Sequence, residues 1–310
     1  MVAPVEGVAS ITQVTAGTYH TCAAARDGSA FCWGRNHRGQ LGDGTIADES
    51  RPTPSKVVGL TGVTEIAAGA EYTCAVATDG IARCWGGTPG STSDQASPTE
   101  IGGLGDVTAL SPGANHVCAL TADGSVYCWG ANTFGELGDD AIGDESATPV
   151  RVAALGASVR IASGAHHVCA VTTVGALWCW GQNLYQQLGH DVLTDHSVAE
   201  VADVAGVRDL AAGFGHTCVV VEDGTVLCWG GNDDGQLGDG TTLQRSARVA
   251  VALAGPVTHI AAGVRHSCAL LASGAAYCWG PNVYGELGDG TTNASATPVA
   301  VMGLSEPTTP

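Results

Sequence analysis

The amino-acid sequence predicts an all-β fold, a single β-propeller of six four-stranded blades. The tripeptide Cys-Trp-Gly recurs six times at intervals near 50 residues. Each repeat contains short, alternating apolar segments bounded by glycine, and none has a helical period of useful length. Repeats of this length with four short strands are typical of propeller blades. We expect one domain over residues 1–304, with repeats at about 11–60, 61–104, 105–155, 156–206, 207–254 and 255–304, and a tail at 305–310.

The last repeat shows the four strands clearly. Residues 257–263 are small and alternating, which suits a crowded first strand, and residues 266–271 and 275–280 alternate as half-buried second and third strands. A polar segment follows, which we call the excursion, and the fourth strand is expected to begin at Pro298. Because proline cannot donate to a ladder, this strand should lie at an outer edge.

A second cysteine precedes each Cys-Trp-Gly cysteine by ten residues, with a glycine at a fixed place between them. A three-residue hairpin loop ending in a left-handed glycine places the two cysteines opposite each other. Their Cα atoms should be about 4.5 Å apart, as in a non-hydrogen-bonded pair, which a disulfide can span. We therefore predict six intrablade disulfides, at Cys22–Cys32, Cys74–Cys84, Cys118–Cys128, Cys169–Cys179, Cys218–Cys228 and Cys268–Cys278.

Two other interpretations of the cysteines stay open, buried free thiols and a metal cluster. No Cys-x-x-Cys pair exists, and the histidine two residues before the first cysteine is replaced by Tyr72 in the second repeat, which disfavours a metal. The other repeats carry this histidine, at His20, His116, His167, His216 and His266, and we expect it to bond backbone within its own blade.

The cysteines and the net charge together limit where the protein can be located and which partners it can bind. Disulfides predict an extracytoplasmic location, in the periplasm, at the cell surface or in the medium. The first residues carry no export signal, so we expect a mature form from which a leader has been removed. Twelve basic and thirty acidic side chains give a net charge of −18, which excludes non-specific binding to nucleic acid. No apolar run is long enough for membrane insertion, and we expect a monomer.

The repeats resemble those of the regulator of chromosome condensation family. Its pattern runs roughly A-G-x-x-H-x-x-A-L-x-x-D-G-x-V-x-x-W-G-x-N-x-x-G-Q-L-G, and the fifth repeat here reads AAGFGHTCVVVEDGTVLCWGGNDDGQLGDG. The resemblance extends from about residue 11 to residue 304. It implies a closed propeller, ordinarily seven-bladed, that serves as a rigid platform for protein partners. The cysteine-bearing repeats are similar to those of the exported bacterial branch.

The sequence departs from the family pattern in three places. Six repeats are present, so the ring either has six blades or gains a seventh from the terminal segments. The second repeat lacks the Asn and the Gly-Gln-Leu-Gly-Asp-Gly segment, and the fourth has His190 in place of a glycine. The family's nucleotide-exchange and chromatin roles do not fit an acidic, disulfide-bearing chain. Light sensing is not expected, because the photoreceptor's tryptophan places hold Thr18, Ala70, Ala114, Ala165, Phe214 and Val264.

The turn between the first two strands and the excursion should share one side of each blade. Two residues of this turn vary between repeats, so the scaffold does not dictate them, and we expect a partner-binding face there. Aromatic and arginine side chains are the better candidates because they dominate binding hot spots. The predicted face comprises Tyr19, Glu71, Asn115, His166, Phe214 and Arg265.

The excursions are rich in carboxylates, which should favour a basic partner. Either these aspartates hold their loops by accepting backbone hydrogen bonds, or they bind Ca²⁺. They include Asp43, Asp139, Asp140, Asp191, Asp233, Asp234, Asp239 and Asp289.

The expected function is that of a non-enzymatic protein-interaction scaffold. The alternative is a Ca²⁺- or carbohydrate-binding surface module, and a remote one is a hydrolase-like enzyme at the channel mouth. No catalytic residue, resident metal or cofactor is predicted, because the histidines outside the repeat pattern are scattered and form no nucleophile–base pair.

Overall fold

The computed structural model describes residues 5–193 and 196–303, and these form six four-stranded antiparallel sheets. No helix occurs among the described residues. In every sheet the strands lie side by side in chain order, so each strand pairs with the next one along the chain. We number the sheets as blades 1 to 6 from the amino terminus.

The twenty-four strands fall into four sets according to their place in the blade. The first strands are β1 (Ile11–Ala16), β5 (Val63–Ala68), β9 (Val107–Pro112), β13 (Ser158–Ser163), β17 (Val207–Ala212) and β21 (Val257–Ala262). The second strands are β2 (His20–Ala25), β6 (Tyr72–Ala77), β10 (His116–Thr121), β14 (His167–Thr172), β18 (His216–Val221) and β22 (Ser267–Leu271). The third strands are β3 (Ala30–Asn36), β7 (Ala82–Gly86), β11 (Val126–Gly130), β15 (Leu177–Gly181), β19 (Val226–Gly230) and β23 (Ala276–Gly280). The fourth strands are β4 (Ala47–Lys56), β8 (Gln95–Glu100), β12 (Ser146–Arg151), β16 (Ala199–Glu200), β20 (Arg245–Ala250) and β24 (Ser295–Ala300).

The hairpin between the second and third strands has the predicted register in every blade. In blade 1, Ala25 N donates to Ser29 O at 2.8 Å, and Gly28 has a φ of 78°, in the left-handed region that glycine tolerates. Counting from this closing pair, Cys22 lies opposite Cys32. The same pairing of cysteines recurs in the other five hairpins.

A disulfide joins the two cysteines of each blade, in the six predicted pairs. Their Cα atoms are 4.0–4.1 Å apart, slightly closer than the expected spacing. No cysteine is free, and all twelve are buried or nearly so. Each bond therefore fastens the two central strands of one sheet.

The fourth strands differ most from the expectation. Prolines lie in these edge strands, as Pro298 does, but β24 begins at Ser295 because Ser295 pairs with Gly280. The strand thus starts before the predicted proline. In blade 4 the fourth strand, β16, has only two residues. The suggested seventh blade involves terminal residues of which 1–4 and 304–310 lie outside the described part, as does the tail.

The chain divides into two compact units. Unit 1 comprises Met1–Thr133 and Ala141–Ala153, and its described strands form blades 1 to 3. Unit 2 comprises Phe134–Asp140 and Ala154–Pro310 and contains blades 4 to 6. The predicted repeat boundaries and the single-domain interpretation stay predictions. Along residues 5–193 and 196–303, no helix is long and apolar enough to cross a membrane.

Candidate interaction surface

In blades 1 to 5 the first turn is hydrogen-bonded to the start of the excursion, whereas blade 6 has Pro281 at the donor position. Arg35 N donates to Tyr19 O at 2.9 Å in blade 1, and Gln182 N donates to His166 O at 2.8 Å in blade 4. Blade 5 has the same bond from Gly231 N. The two variable segments of a blade are thus held side by side, as predicted from the order of strands.

In every blade except the second, a buried asparagine organises the excursion. In blade 5, Asn232 Nδ2 donates to the carbonyl oxygens of Thr241 and Leu243, and Asn232 Oδ1 accepts from Leu237 N at 3.0 Å. Asp239 accepts from Thr241 N at 2.9 Å and from the Thr241 hydroxyl at 2.7 Å. Blades 1 and 6 repeat this arrangement.

These bonds give the Gly-Asp-Gly aspartates a structural role. Hydrogen bonds from threonine and asparagine hold the pKa of the Asp289 carboxyl below its usual range, since its charged form is the one they stabilise. Among residues 5–193 and 196–303, no three His, Cys, Asp or Glu side chains are grouped as a metal site would require. The loop-holding interpretation of these residues is therefore the one the contacts support.

In blades 1, 4 and 5 the repeated histidine links neighbouring blades, contrary to the expectation that it bonds backbone inside its own blade. His20 Nε2 lies 2.8 Å from the Thr73 hydroxyl of blade 2, and this hydroxyl donates to Gln40 O at 2.9 Å. Trp85 Nε1 donates to the same carbonyl at 3.0 Å. Because the threonine hydrogen is used, His20 must be the donor through Nε2–H.

Burial keeps these histidines neutral. In blade 5, His216 Nε2 lies 2.9 Å from the Ser267 hydroxyl, which donates to Gln236 O. Desolvation lowers the pKa of His216 to about 3 and that of His20 to about 4. Neither side chain is a candidate acid or base near neutral pH, which agrees with their structural role.

In unit 1 the predicted face residues are polar or isolated. The Tyr19 ring is 59% exposed and lies under the Arg35 guanidinium, 5.4 Å away. Glu71 is bound by Arg38 at 2.9 Å and by His37 at 3.2 Å. Asn115 is exposed at the corresponding turn of blade 3.

In unit 2 the structure brings two predicted residues into one aromatic group. The His166 ring contacts Phe214, with centroids 6.2 Å apart, and Phe134 on its other side at 5.2 Å. Phe214 also meets Tyr185 at 6.1 Å, and Phe134 meets His196 at 6.5 Å. We call these five residues the aromatic cluster. Phe134, Tyr185 and His196 come from excursions, and the sequence analysis did not assign them to the face.

The aromatic cluster lies among carboxylates. Glu136 is buried beneath it, with Oε1 3.3 Å from His166 Nδ1. Asp139, Asp140 and Asp191 are exposed on the excursions that supply Phe134 and Tyr185. The sixth predicted residue, Arg265, is paired with Asp234 at 3.0 Å.

One half-buried carboxyl lies apart from the turns. Glu65 of β5 accepts a hydrogen bond from Leu110 N at 3.0 Å and borders a cavity of about 650 Å³ within unit 1. Burial raises the pKa of Glu65 to about 7. No metal-binding group accompanies it among the described residues.

Six four-stranded antiparallel sheets, each with its strands in chain order, define a β-propeller. The RCC1-like domain matches residues 1–309, and the chain belongs to this family. It is 24% identical to yeast RCC1 (Prp20) in a crystal structure with bound Kap60, with a TM-score of 0.82 over 94% of this chain and 74% of that one. This likeness shows the fold.

Two curated relatives are similar in sequence. The ultraviolet-B receptor UVR8 of Arabidopsis thaliana is 31% identical over 194 residues, which cover 61% of this chain and 33% of UVR8. The probable E3 ubiquitin-protein ligase HERC3 of Homo sapiens is 31% identical over 189 residues, covering 60% of this chain and 14% of HERC3. The matched part thus spans a third or less of these relatives.

Proposed function

We propose that this protein is a non-enzymatic scaffold that binds a protein partner through its first turns and excursions. The aromatic cluster carries the proposal. It joins side chains from two first turns and from excursions, and its member Phe214 is more than a third exposed. Aromatic side chains offer a large contact area at low entropic cost, which is why they dominate binding hot spots.

The charges around the cluster favour a partner with a basic surface. The chain carries a net charge of −18, and exposed aspartates stand on the same excursions as Phe134 and Tyr185. Such a surface steers cationic partners toward it and repels acidic ones. The partner we propose therefore presents apolar side chains framed by lysine or arginine.

The location and assembly proposed are an extracytoplasmic compartment and a monomer. Six disulfides with no free cysteine suit an oxidising environment, and the cysteine-bearing repeats resemble those of the exported bacterial branch. The yeast RCC1 structure with Kap60 is one example of a propeller of this fold in complex with a protein. No described contact favours catalysis, so the enzyme alternative is not proposed.

Capture of a partner from the native extracytoplasmic fraction tests this function. Phe214→Ala and Tyr19→Ala should each lower capture about tenfold or more, because truncating a hot-spot aromatic costs 2 kcal/mol or more. Val174→Ala is the control, since Val174 is 86% exposed at the hairpin tip on the far side of blade 4. Retention of every captured protein by both aromatic variants would refute the proposed surface.

A further inference from the structure

A cavity of about 430 Å³ lies at the short excursion of blade 2, within unit 1. Its wall includes Cys84 and Ile101 of blade 2, the excursion residues Thr88 to Thr92, and Ala147 of blade 3. In blade 2 the fourth strand begins to pair with the third at Gln95, which lies opposite Gly86. In blade 6 the corresponding pair is Gly280 with Ser295, so the excursion between the paired residues is longer there. The other blades show what normally fills this place.

In blades whose excursion is not shortened, a leucine of the excursion occupies the equivalent position. Leu41 packs in one cluster with Cys32, Val57 and Trp85 of the next blade. Leu188 is surrounded by the corresponding Cys179, Val201 and Trp229, and Leu237 by Cys228, Val251 and Trp279. All three leucines are almost fully buried.

Blade 2 retains the walls of this site and lacks the leucine. Ile101 takes the place of Val57, because Ile101 N donates to Ala82 O as Val57 N donates to Ala30 O. Cys84, Ile101 and Trp129 form one apolar cluster, as their counterparts do. Thr92, the excursion residue that could best take the position of the leucine, is exposed. The cavity is therefore the empty place of a leucine side chain.

The interface between blades 2 and 3, where this cavity lies, also lacks a hydrogen-bond acceptor. In the complete blades the carbonyl just before the leucine accepts from the next blade's tryptophan, as Gln187 O does from Trp229 Nε1 at 2.9 Å and Gln236 O from Trp279 Nε1 at 2.8 Å. Trp129 is fully buried, and its Nε1–H has no partner among the described residues. A buried donor without an acceptor is unfavourable, so an acceptor supplied from outside would stabilise it.

We propose that this cavity, the leucine socket, binds a leucine-bearing turn of another polypeptide. The leucine would fill the space between Cys84 and Ile101, and the carbonyl before it would accept from Trp129 Nε1–H. Ser91, Thr92 and Gln95 line the rim and offer polar groups to the main chain of the turn. The excursions of this chain supply the template for the ligand. The site is independent of the aromatic cluster, since it lies in unit 1.

The test uses the full chain with its tryptophans labelled with nitrogen-15. A blocked peptide Gly-Gln-Leu-Gly-Asp-Gly, copied from residues 39–44, should shift one indole N–H resonance saturably. Loss of that resonance in Trp129→Phe identifies it as Trp129. Replacing the peptide leucine by serine should weaken binding about tenfold or more, the amount expected for a buried leucine.

Two variants locate the binding. Thr99→Trp should abolish the shift because Thr99 lines the leucine socket. Ser55→Trp changes the corresponding residue of blade 1, where Leu41 fills the site, and should leave the shift unchanged. The proposal is wrong if the Trp129 resonance does not move at saturating peptide, or moves equally with the serine peptide. The comparison of the leucine peptide with the serine peptide uses the wild-type protein. It therefore tests the proposal even if Thr99→Trp does not fold.

Discussion

Glu65, a half-buried residue of the first strand of blade 2, should make the stability of the protein depend on pH. Its folded-state pKa, about 7, lies above the 4.5 of a glutamate in an unfolded chain, because burial disfavours the carboxylate. Between these two values the folded protein holds a proton that the unfolded chain releases. Stability should therefore fall as the pH rises from 4.5 to 7 and be constant above.

Glu65→Gln should remove this loss. Gln13 occupies the same register position in blade 1 and accepts from Ile66 N at 2.9 Å, so glutamine fits the hydrogen bond. We expect a gain of about 1–3 kcal/mol at pH 8 and little change at pH 4. Urea unfolding at both values measures it. The exposed Glu145→Gln serves as the control, and an equal gain at both pH values would contradict the assignment.

His216 should act in the opposite sense. Its folded-state pKa of about 3 lies below the 6.5 of a histidine in an unfolded chain. The stability that the neutral ring contributes is therefore fully present above pH 6.5 and is lost as the pH falls toward 3. When the pH is lowered from 7 to 5, we expect the free energy of unfolding of His216→Gln to fall by about 1–2 kcal/mol less than that of the wild type. Denaturant midpoints at these values provide the measurement. An identical pH dependence in the exposed control His259→Gln would show that burial is not the cause.

In blades 1, 4 and 5 the excursion completes the interface with the next blade, through its leucine and the carbonyl before it. Leu237→Ala should cost about 2–5 kcal/mol because the side chain is fully buried among Cys228, Val251 and Trp279. Equilibrium unfolding checks this, with the mostly exposed Leu243→Ala as the control. A loss below about 1 kcal/mol would mean that the loop closes over the gap.

The hairpin disulfides are elements of local stability. Replacing Cys268 and Cys278 by serine should lower the free energy of unfolding by at most about 3 kcal/mol. The two cysteines are separated by 10 residues, so the disulfide closes a short loop and removes little entropy from the unfolded chain, and the hairpin turn already restrains this loop. Thermal unfolding of the double variant measures the loss. Alkylation of the denatured, unreduced wild type should find no thiol, since all twelve cysteines are bonded. Twelve modified cysteines would overturn the disulfides and the compartment inferred from them.

At the scale of the molecule, the acidic surface should govern association with its partner. The association rate of the captured partner should fall steeply between low and high ionic strength, because screening shortens the reach of the charge. Surface plasmon resonance in graded NaCl records this rate. A rate that does not change with salt would contradict steering and leave the aromatic contacts as the sole determinant.

The sequence predicts those features of the molecule that are local and repeated. The hairpin register and the pairing of Cys22 with Cys32 follow from ten residues of chain and one glycine. The bond from His20 to Thr73, and the contact between Phe134 and His166, join blades or loops distant in sequence. No pattern along the chain reveals them, because they depend on how one sheet packs on the next.

The shortened second repeat shows the same limit. The missing Gln-Leu segment is evident in the sequence, as is Tyr72 in the histidine position. Only the structure shows that Trp129 has no acceptor among the described residues and that a cavity is lined by Cys84 and Ile101 of the same apolar cluster. The Tyr72 hydroxyl donates to the carbonyl of His116 in blade 3 at 2.6 Å. A tyrosine hydroxyl therefore makes the bond between blades 2 and 3 from the position that histidine occupies in the other repeats.

Every covalent cross-link of this chain is confined to one hairpin, between neighbouring strands. None spans an excursion or ties one sheet to another. A protease that cleaves once inside an excursion should therefore release two fragments on a denaturing gel without reductant. A cut at a hairpin tip, between Cys169 and Cys179 for example, should leave the pieces joined until dithiothreitol is added.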